Sequence, residues 1–461
     1  MKTLNLMFLC LANINVFAAI PQKQEAPYLS QPQLSQQIVT PTAQQVTAPL
    51  AQPQPAQNVQ PTIEPLTQAQ PTPLAQPKIT PPAQSINPLN YALPTRIISG
   101  KYELDICSSL PQTGEIAIIG DHLYTGMQAF LLKLKTLPNF NFYIKLDVRD
   151  DGGNITKTIK NINILNKKTP LLISLFGSNS MKCFYPYLKQ NKLVSIFPIE
   201  GLEKWRNSSN KNTIFFRASD AAQITALIDY SINSLCEESF SVFYEASEWG
   251  EGVLTQIKNI LNERGKKIIA FGSYPQKTVN VTSAVKKLSE SAKETNAILC
   301  IAQARPTYNF IQQMINNGFT KTSFLCIDGL FSIQETLKKS RGITIITSSV
   351  VPDPFKSSLQ IAKEYRADMK KYFPNKNLSP FSFEGYINAA ILCECIKASQ
   401  FPISANKLLN TIENIKKFDI PLLKDLKLNF NPETRTLSNR VWINVGNGKE
   451  WEEWPSKIER A

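Results

Sequence analysis

The chain has 461 residues, enough for two or three compact units, and it carries a formal charge of +14 with a single histidine. That histidine, His122, is the only one available to a Ser/His/Asp triad, and histidine-rich metal sites are excluded. The lysines are spread along the chain and are not gathered in one aromatic-rich stretch, so the charge indicates a solvated basic surface and not a nucleic-acid site.

The first nineteen residues have the layout of a secretory signal peptide. Lys2 precedes an apolar run at residues 4–12, and small side chains follow at Ala18 and Ala19. We expect a signal peptide at 1–18, cleaved after Ala18, and an exported protein that is periplasmic or associated with the cell envelope. An uncleaved membrane anchor is the alternative, although the apolar run is short for a bilayer span.

Residues 19–96 have a different composition. They hold 16 of the 31 prolines and 16 glutamines, they have almost no charge, and they contain no glycine. Such a segment cannot bury a core, and proline favours extended polyproline II conformations. We predict a disordered Pro/Gln-rich linker over 19–96 that acts as a tether.

From residue 97 to 461 the pattern predicts a folded body. Short apolar runs alternate with stretches of helical spacing, which is typical of parallel sheets covered by helices on both faces. The predicted strands are Ile116–Ile119, Phe142–Val148, Leu171–Phe176, Val194–Pro198, Ser241–Tyr244, Ile268–Phe271, Ala297–Ala302, Phe324–Ile327 and Ile343–Ser348. This number exceeds what one compact sheet usually carries, so we expect an α/β fold of two lobes.

Polar side chains follow many of the predicted strands. In open parallel sheets, ligands bind beyond the carboxyl ends of the strands, so these residues are candidates for a site in a cleft between the lobes. They are Asp121, His122, Asp150, Asp151, Ser178 to Ser180, Glu200, Glu248 to Gly250, Gln303 and Asp328.

The cysteines do not indicate a metal or redox site. Cys300 and Cys326 lie inside apolar strand-like runs, where cysteine usually acts as a small buried hydrophobe. Cys393 and Cys395 have no second CxxC motif and no histidine cluster near them. We expect no metal and no cofactor.

The order of several segments resembles the leucine/isoleucine/valine-binding family of bacterial solute receptors, from about Gly114 to Trp451. The segments are GDHLYTGMQAF, VRDDGGN, SLFGSNS, RASDAAQ, EASEWGEGVLTQIKNIL, IQQMINNGF and FSFEGYINAAILCECI. No one of them is specific, whereas the ordered set is informative.

The resemblance implies a two-lobed, type I periplasmic-binding fold in which the chain crosses between the lobes three times. Lobe 1 would comprise about 114–218 and 348–424. Lobe 2 would comprise about 219–347 and 425–454. Ligand binding would close the two lobes, and the closed form would be recognised by a membrane transporter permease or an envelope protein.

The resemblance also assigns roles in the cleft. Ser178 matches the family's hydroxyl donor to the ligand carboxylate, and Asp328 matches the acid that meets the ligand ammonium group. Trp249 matches an aromatic wall, and Asp220 sits at the crossing between lobes. The structural alternatives to these roles are core packing for Trp249, loop capping for Ser178 and helix capping for Asp328.

Three departures from the family pattern indicate an altered pocket. The loop between IAIIG and DHLYTG is shorter than in the family. The segment after the strand at Val194–Pro198 usually offers a small or hydroxylated residue in the family, and here it carries Ile199, Glu200 and Gly201. Gln303 replaces an aromatic residue that commonly packs on the ligand.

Two functions from different classes fit these features. The first is an extracytoplasmic solute-binding protein of an ABC-type transport system that binds an amino acid or a similar small polar solute. The second is a ligand-free or regulatory adaptor of the same fold, of the kind that activates cell-wall synthases, which uses the linker to reach a protein partner. An open cleft bordered by Ser178, Trp249 and Asp328 would favour the first, and a filled cleft the second.

An enzyme is the least favoured interpretation. Asp150 and Asp151 are adjacent, so their side chains point to opposite sides of an extended strand end and do not flank a substrate. We expect them to be turn and cap residues. The sequence contains no P-loop, GxSxG or metalloprotease helix motif.

Overall fold

The computed structural model describes residues 87–291, 293–328, 343–446 and 449–454. The predicted signal peptide at 1–18 and most of the predicted linker at 19–96 lie outside these residues. The helix expected to begin just after Asp328 also lies outside them.

The described elements alternate between strands and helices along most of the chain. The strands are β1 (Thr95–Ile98), β2 (Lys101–Leu110), β3 (Phe142–Asp150), β4 (Leu171–Ile173), β5 (Val194–Ile196), β6 (Thr213–Ile214), β7 (Ser239–Ala246), β8 (Lys267–Pro275), β9 (Ala297–Ile301), β10 (Ser323–Cys326), β11 (Thr344–Ser349), β12 (Val441–Asn444) and β13 (Glu452–Trp454). The helices are α1 (Ala117–Leu134), α2 (Ile155–Leu165), α3 (Gly177–Lys189), α4 (Asp220–Leu235), α5 (Glu248–Glu263), α6 (Thr282–Ser291), α7 (Ala304–Asn316), α8 (Gln360–Tyr372), α9 (Pro380–Ser399) and α10 (Ala405–Glu413). Short 3-10 helices lie at Pro88–Asn90, Glu203–Trp205, Ile415–Lys417 and Pro421–Leu426.

The described strands form two sheets, one in each lobe. The first has the order β1-β2-β4-β5-β6, with β3 also paired to β2, and all its pairs are parallel except β1 with β2. The second has the order β13-β12-β11-β10-β9-β7-β8 and is parallel from β11 to β8. Its last two strands, β12 and β13, are antiparallel. The predicted two-lobed α/β fold is confirmed, with antiparallel strands at one edge of each sheet.

The chain passes between the lobes in three segments. Residues 215–219 lead from β6 to α4, which packs on β11 and β12 of the second sheet. After β11 the chain returns to the first lobe, where α8 and α9 pack against α1. Residues 427–440 then lead back to β12 in the second sheet.

The predicted strand at Ile116–Ile119 is wrong. Ile116 caps α1 and residues 117–119 are its first turn, whereas the first long strand of the lobe is β2, which pairs with β3 along its length. The helix buries Leu123, Met127, Phe130, Leu131 and Leu134, and these positions recur at the helical period of three to four residues. The charged residues Glu103 and Asp105 lie within β2, so its sequence does not form the continuous apolar run by which the other strands were predicted. The first lobe therefore starts before residue 114.

The predicted start of the folded body at residue 97 is too late. Leu89 and Leu93 are 1% and 4% exposed and belong to the main hydrophobic core. The Leu93 N–H donates to the Ile403 carbonyl at 2.7 Å, and β1 pairs with β2. The proline-rich composition continues past the point where the chain begins to pack.

Helices α1 and α9 pack unusually close together. A Cβ atom on Gly126 would lie 1.8 Å from the Ser382 carbonyl oxygen, and one on Gly385 would lie 2.3 Å from the Leu123 carbonyl oxygen. Only glycine permits these two backbones to approach so closely. Helix α9 is buried along nearly its whole length, so it forms the centre of the first lobe.

The four cysteines considered above are buried, which confirms the core interpretation of Cys300 and Cys326. Among the described residues, no group of His, Cys, Asp and Glu side chains has the arrangement of a metal site. No helix in the described part of the chain is long and apolar enough to cross a bilayer.

Leu93→Ala should lower the free energy of unfolding by about 2–5 kcal/mol, because it leaves a cavity in the core. Ile97→Ala is the control: Ile97 is 72% exposed, and its substitution should change the free energy by less than about 0.5 kcal/mol. Chemical denaturation of both variants measures the difference. Equal losses would contradict the packing of residues 87–93 on the core.

Candidate functional site

A cleft of about 720 Å³ lies between the two lobes. Its walls come from the start of α1, the first turn of α3, the segment after β5, the first turns of α4 and α5, the β9–α7 junction and the end of β10. Most of these are positions where a strand of a parallel sheet has just ended, which is where such folds bind ligands.

The cleft brings together all seven residues predicted as ligand-binding. They are Ser178, Ile199, Gly201, Asp220, Trp249, Gln303 and Asp328. Their location on one surface is therefore established, whereas their contacts with a ligand stay predictions.

The first turn of α3 brings Ser178 to the cleft. Gly177 begins the helix at φ +78°, and its N–H donates to the Ile199 carbonyl at 2.9 Å. This bond ties α3 to the segment after β5. The Ser178 hydroxyl is buried next to the Glu200 carboxyl group and has no hydrogen-bond partner of good geometry.

Glu200 is the most unusual side chain of the cleft. It is 2% exposed; its Oε1 accepts the Leu202 N–H at 2.8 Å, and its Oε2 has no partner among the described residues. Burial, reinforced by the nearby charge of Asp220, raises the pKa of Glu200 from 4.5 to about 7. The sequence placed Glu200 among the polar residues after strands, but treated it only as a departure from the family pattern.

Gly201 makes room for Asp220. The Asp220 N–H donates to the Gly201 carbonyl at 2.9 Å, and a Cβ on Gly201 would lie 1.8 Å from Asp220 Oδ1. The Trp249 indole N–H donates to Asp220 Oδ2 at 2.9 Å. Burial raises the pKa of Asp220, and the positive charge of Arg217 opposes that rise. Any larger residue at 201 would push the carboxylate away from the indole.

Arg217 lies between the lobes and is 6% exposed. Its Nη2 forms an ion pair with Asp328 Oδ2 at the end of β10, and its Nε lies 3.5 Å from Glu384 Oε1 in α9. This pairing was not predicted from the sequence. The available signal was a charged residue directly after Phe215 and Phe216, in the segment that leads into the second lobe. The acid assigned to a ligand ammonium group therefore already has a cationic partner.

Arg206 anchors the backbone around this cluster. It is 5% exposed, and it donates from Nη2 to the Glu200 carbonyl at 2.7 Å and from Nη1 to the Arg217 carbonyl at 3.0 Å. A further bond at 3.1 Å reaches the Thr436 hydroxyl in the third crossing segment. Burial lowers the pKa of Arg206 to about 10. This residue, too, was not predicted from the sequence.

The second lobe contributes a hydrogen-bonded wall. Glu245 accepts the Tyr274 hydroxyl at 3.0 Å and the Gln276 amide at 3.2 Å. The Gln303 N–H in turn donates to the Tyr274 hydroxyl at 3.2 Å. The backbone of Gln303 therefore joins this polar chain, and the residue lines the cleft where the resemblance implies an aromatic one.

His122 and Asp121 do not follow a strand, because the strand predicted before them is the start of α1. His122 lines the cleft half-buried, and burial lowers its pKa. Asp121 pairs with Lys376 at 2.8 Å. The short loop inferred after IAIIG was measured from the wrong strand, so that departure from the family pattern no longer holds.

Asp150 is the last residue of β3 and Asp151 follows it, and both carboxylates cap the adjoining turns, as predicted. Asp150 accepts the N–H groups of Gln112 and Thr113 at 2.9 and 3.0 Å. Partial burial acts to raise its pKa, but the Thr113 hydroxyl and Gln112 N–H bonds hold the value at about 2. Asp151 accepts the Gly153 N–H and the Ser109 hydroxyl.

Glu200→Gln should change how stability depends on pH. The unfolded glutamate titrates near 4.5 and the folded one near 7, so the folded state binds more protons between these values. The protonated Glu200 side chain therefore stabilises the folded state fully below pH 4.5, and this stabilisation is lost as the pH rises through 7. Between pH 5 and pH 8, the unfolding free energy of the variant should rise relative to that of the parent by on the order of 2 kcal/mol. Chemical denaturation at both pH values measures this change. A difference that does not vary with pH would contradict this.

Comparison with known proteins supports the same family on independent grounds. Residues 106–448 match the sequence model of the periplasmic binding protein family. The Leu/Ile/Val-binding protein homolog 1 of Brucella abortus is 20% identical over 297 residues, which cover 63% of this chain and 77% of that protein.

Solved structures share the fold. A possible leucine/isoleucine/valine-binding protein from Rhodopirellula baltica has a TM-score of 0.68 and 22% identity, covering 77% of this chain and 96% of that chain. A fatty acid ABC transporter substrate-binding protein from Thermomonospora curvata has a TM-score of 0.67 and 14% identity, covering 80% of this chain and 96% of that chain. The match to the family extends over most of the chain, from within β2 to just after β12, so this protein belongs to the periplasmic binding protein family, of the Leu/Ile/Val-binding type.

Proposed function

We propose that this chain is an extracytoplasmic solute-binding protein of an ABC-type transport system that takes up an amino acid or a similar small polar solute. The observation that carries the proposal is the open cleft of about 720 Å³. Pockets for small ligands span roughly 300–1,000 Å³, so the space suits a single small molecule. Ser178, Trp249 and Asp328 all border it, which favours a receptor over an adaptor with a filled cleft.

The composition of the walls supports a ligand with an apolar body and a few polar groups. Ile199, Phe176 and Ile327 offer apolar surface, and Trp249 adds an aromatic face at the edge. Buried hydroxyl, amide and carboxyl groups lie among them and would fix the orientation of the ligand. No covalent step is needed for this function.

Ligand classes vary among proteins of this fold, since the relative from Thermomonospora curvata is described as a fatty acid ABC transporter substrate-binding protein. The ligand of this chain must therefore be inferred from its own cleft. A permease would recognise the ligand-closed form, and the signal-like residues 1–18 support export to the periplasm or cell envelope.

A thermal unfolding screen of the full-length protein against amino acids, amides, short peptides, amines and organic acids tests the proposal. A ligand that binds only the folded state at 100 times its dissociation constant adds about 2.7 kcal/mol and raises the melting temperature. We expect at least one chemical class to do so. A uniformly flat screen would contradict the receptor function and favour the adaptor.

Trp249→Ala should abolish the shift produced by any ligand found, because it removes one wall of the cleft and the partner of Asp220. Trp454→Ala is the matched control, since Trp454 packs on Tyr230 and does not line the cleft. Calorimetric titration of both variants measures the effect. Full binding by Trp249→Ala would place the ligand elsewhere.

A further inference from the structure

The cleft is acidic although the chain is basic. Six carboxyl side chains line it: Glu115, Glu200, Asp220, Glu245, Glu248 and Asp328. The guanidinium groups on the same surface are those of Arg217 and Arg305, and the whole chain carries +14. The negative potential is therefore local, and it favours a solute with a positive charge.

The imbalance persists in a charged cluster that includes three of these acids. This cluster contains four carboxyl groups and two guanidinium groups: Glu200, Asp220, Asp328, Glu384, Arg206 and Arg217. Fully ionised, the six groups would carry a net charge of −2. A buried excess of negative charge is unfavourable, and a bound cation would neutralise part of it.

Most of these acids already have partners. Asp328 and Glu384 pair with Arg217, and Asp220 accepts the Trp249 indole N–H. The remaining acids of the wall are also satisfied or solvated: Glu245 accepts the Tyr274 hydroxyl, Glu248 pairs with Lys204, and Glu115 is exposed.

Glu200 differs from all of them. Its Oε2 is buried without a partner among the described residues, while the residue lines the cleft. An unpaired buried carboxylate oxygen costs the desolvation of that group, so a donor supplied by the ligand would contribute a charge-assisted hydrogen bond. The Ser178 hydroxyl lies beside the carboxyl group and can donate to it, but it carries no charge. Asp220 is acidic, and Arg206 directs three of its bonds to backbone carbonyl groups.

We propose that Glu200 is the cation-binding residue of the cleft, and that the solute carries a protonated amine or guanidinium nitrogen that donates to Glu200 Oε2. The inference rests on the proposed receptor function and adds the charge class of its solute. The apolar surface of Ile199 and Phe176 would hold the body of the same molecule.

The test uses full-length protein and three sets of probes, in which every compound except agmatine has a counterpart of similar shape in the other two sets. The cationic set is 3-methylbutylamine, benzylamine and agmatine; the neutral set is 3-methylbutanol and benzyl alcohol; the anionic set is 4-methylpentanoate and benzoate. Leucine and arginine are added as zwitterionic and cationic amino acids. At pH 8, we expect a melting shift from cationic probes or from arginine and none from the anions.

Glu200→Gln should weaken binding of the best cationic probe about ten- to a hundredfold in calorimetry. Glu200→Asp, which keeps the charge, should retain more affinity than the glutamine variant, and Glu290→Gln on an exposed face of α6 should bind as the parent does. Because the pKa of Glu200 is about 7, the parent should also lose affinity at pH 5.5. The melting temperature of Glu200→Gln without probe verifies that the variant folds.

The outcomes separate the two proposals. If anionic or neutral probes bind and cationic ones do not, or if Glu200→Gln binds cations as tightly as the parent, the assignment of Glu200 is wrong while the receptor function stands. If no probe of any charge binds the parent and the wider screen above is also flat, the receptor function fails and the inference fails with it.

Discussion

A guanidinium group buried between the two lobes is the interaction on which the arrangement of the cleft depends. Arg217 sits on the first chain crossing, with Asp328 of the second lobe on one side and Glu384 of the first lobe on the other. A charge at 6% exposure is costly unless it is paired, so these ion pairs stabilise the arrangement of β10, helix α9 and the crossing segment that the structure shows. Of the seven cleft residues, Asp328 takes part in this pairing, and Asp220 begins the helix that follows Arg217.

The same pairing determines which groups remain open to a ligand. Asp328 would be free to meet an ammonium group if residue 217 were neutral, but its charge is already matched. Glu200 sits beside Ser178, where a ligand carboxylate was expected, and a buried acid at that place repels an anion. Relative to the expectation drawn from the family, the acid without a cationic partner is Glu200 and not Asp328. The fold is therefore a poor guide to the ligand, and the charges of this chain are a better one.

Much of the architecture was accessible from the sequence, because strands buried on both faces produce short apolar runs and helices produce a period of three to four residues. Eight of the nine predicted strands coincide with described strands. The failure at Ile116–Ile119 has a clear cause: four apolar residues at the start of an amphipathic helix look like a strand, while the charged positions in β2 conceal a real one. The predicted start of the folded body at residue 97 was wrong because the proline-rich composition gives no indication that Leu89 and Leu93 pack into the core.

The location of the site was predictable, but its electrostatics were not. Polar residues after parallel strands converge by topology, so Ser178, Trp249 and Asp328 could be placed in one cleft. The pairing of Arg217 with Asp328 joins residues more than a hundred positions apart, and the buried state of Glu200 depends on α3 and α4 packing over it. No local pattern in the sequence contains either fact.

The most direct test of this account is a double-mutant cycle on the pair between the lobes, using Arg217→Met, Asp328→Asn and the double variant. Each single substitution leaves a buried charge with less compensation and should cost about 3–5 kcal/mol of unfolding free energy. The double variant should lose less than the sum of the two by at least about 1 kcal/mol. Additive losses would show that Arg217 and Asp328 do not stabilise each other, and would return Asp328 to the groups open to a ligand.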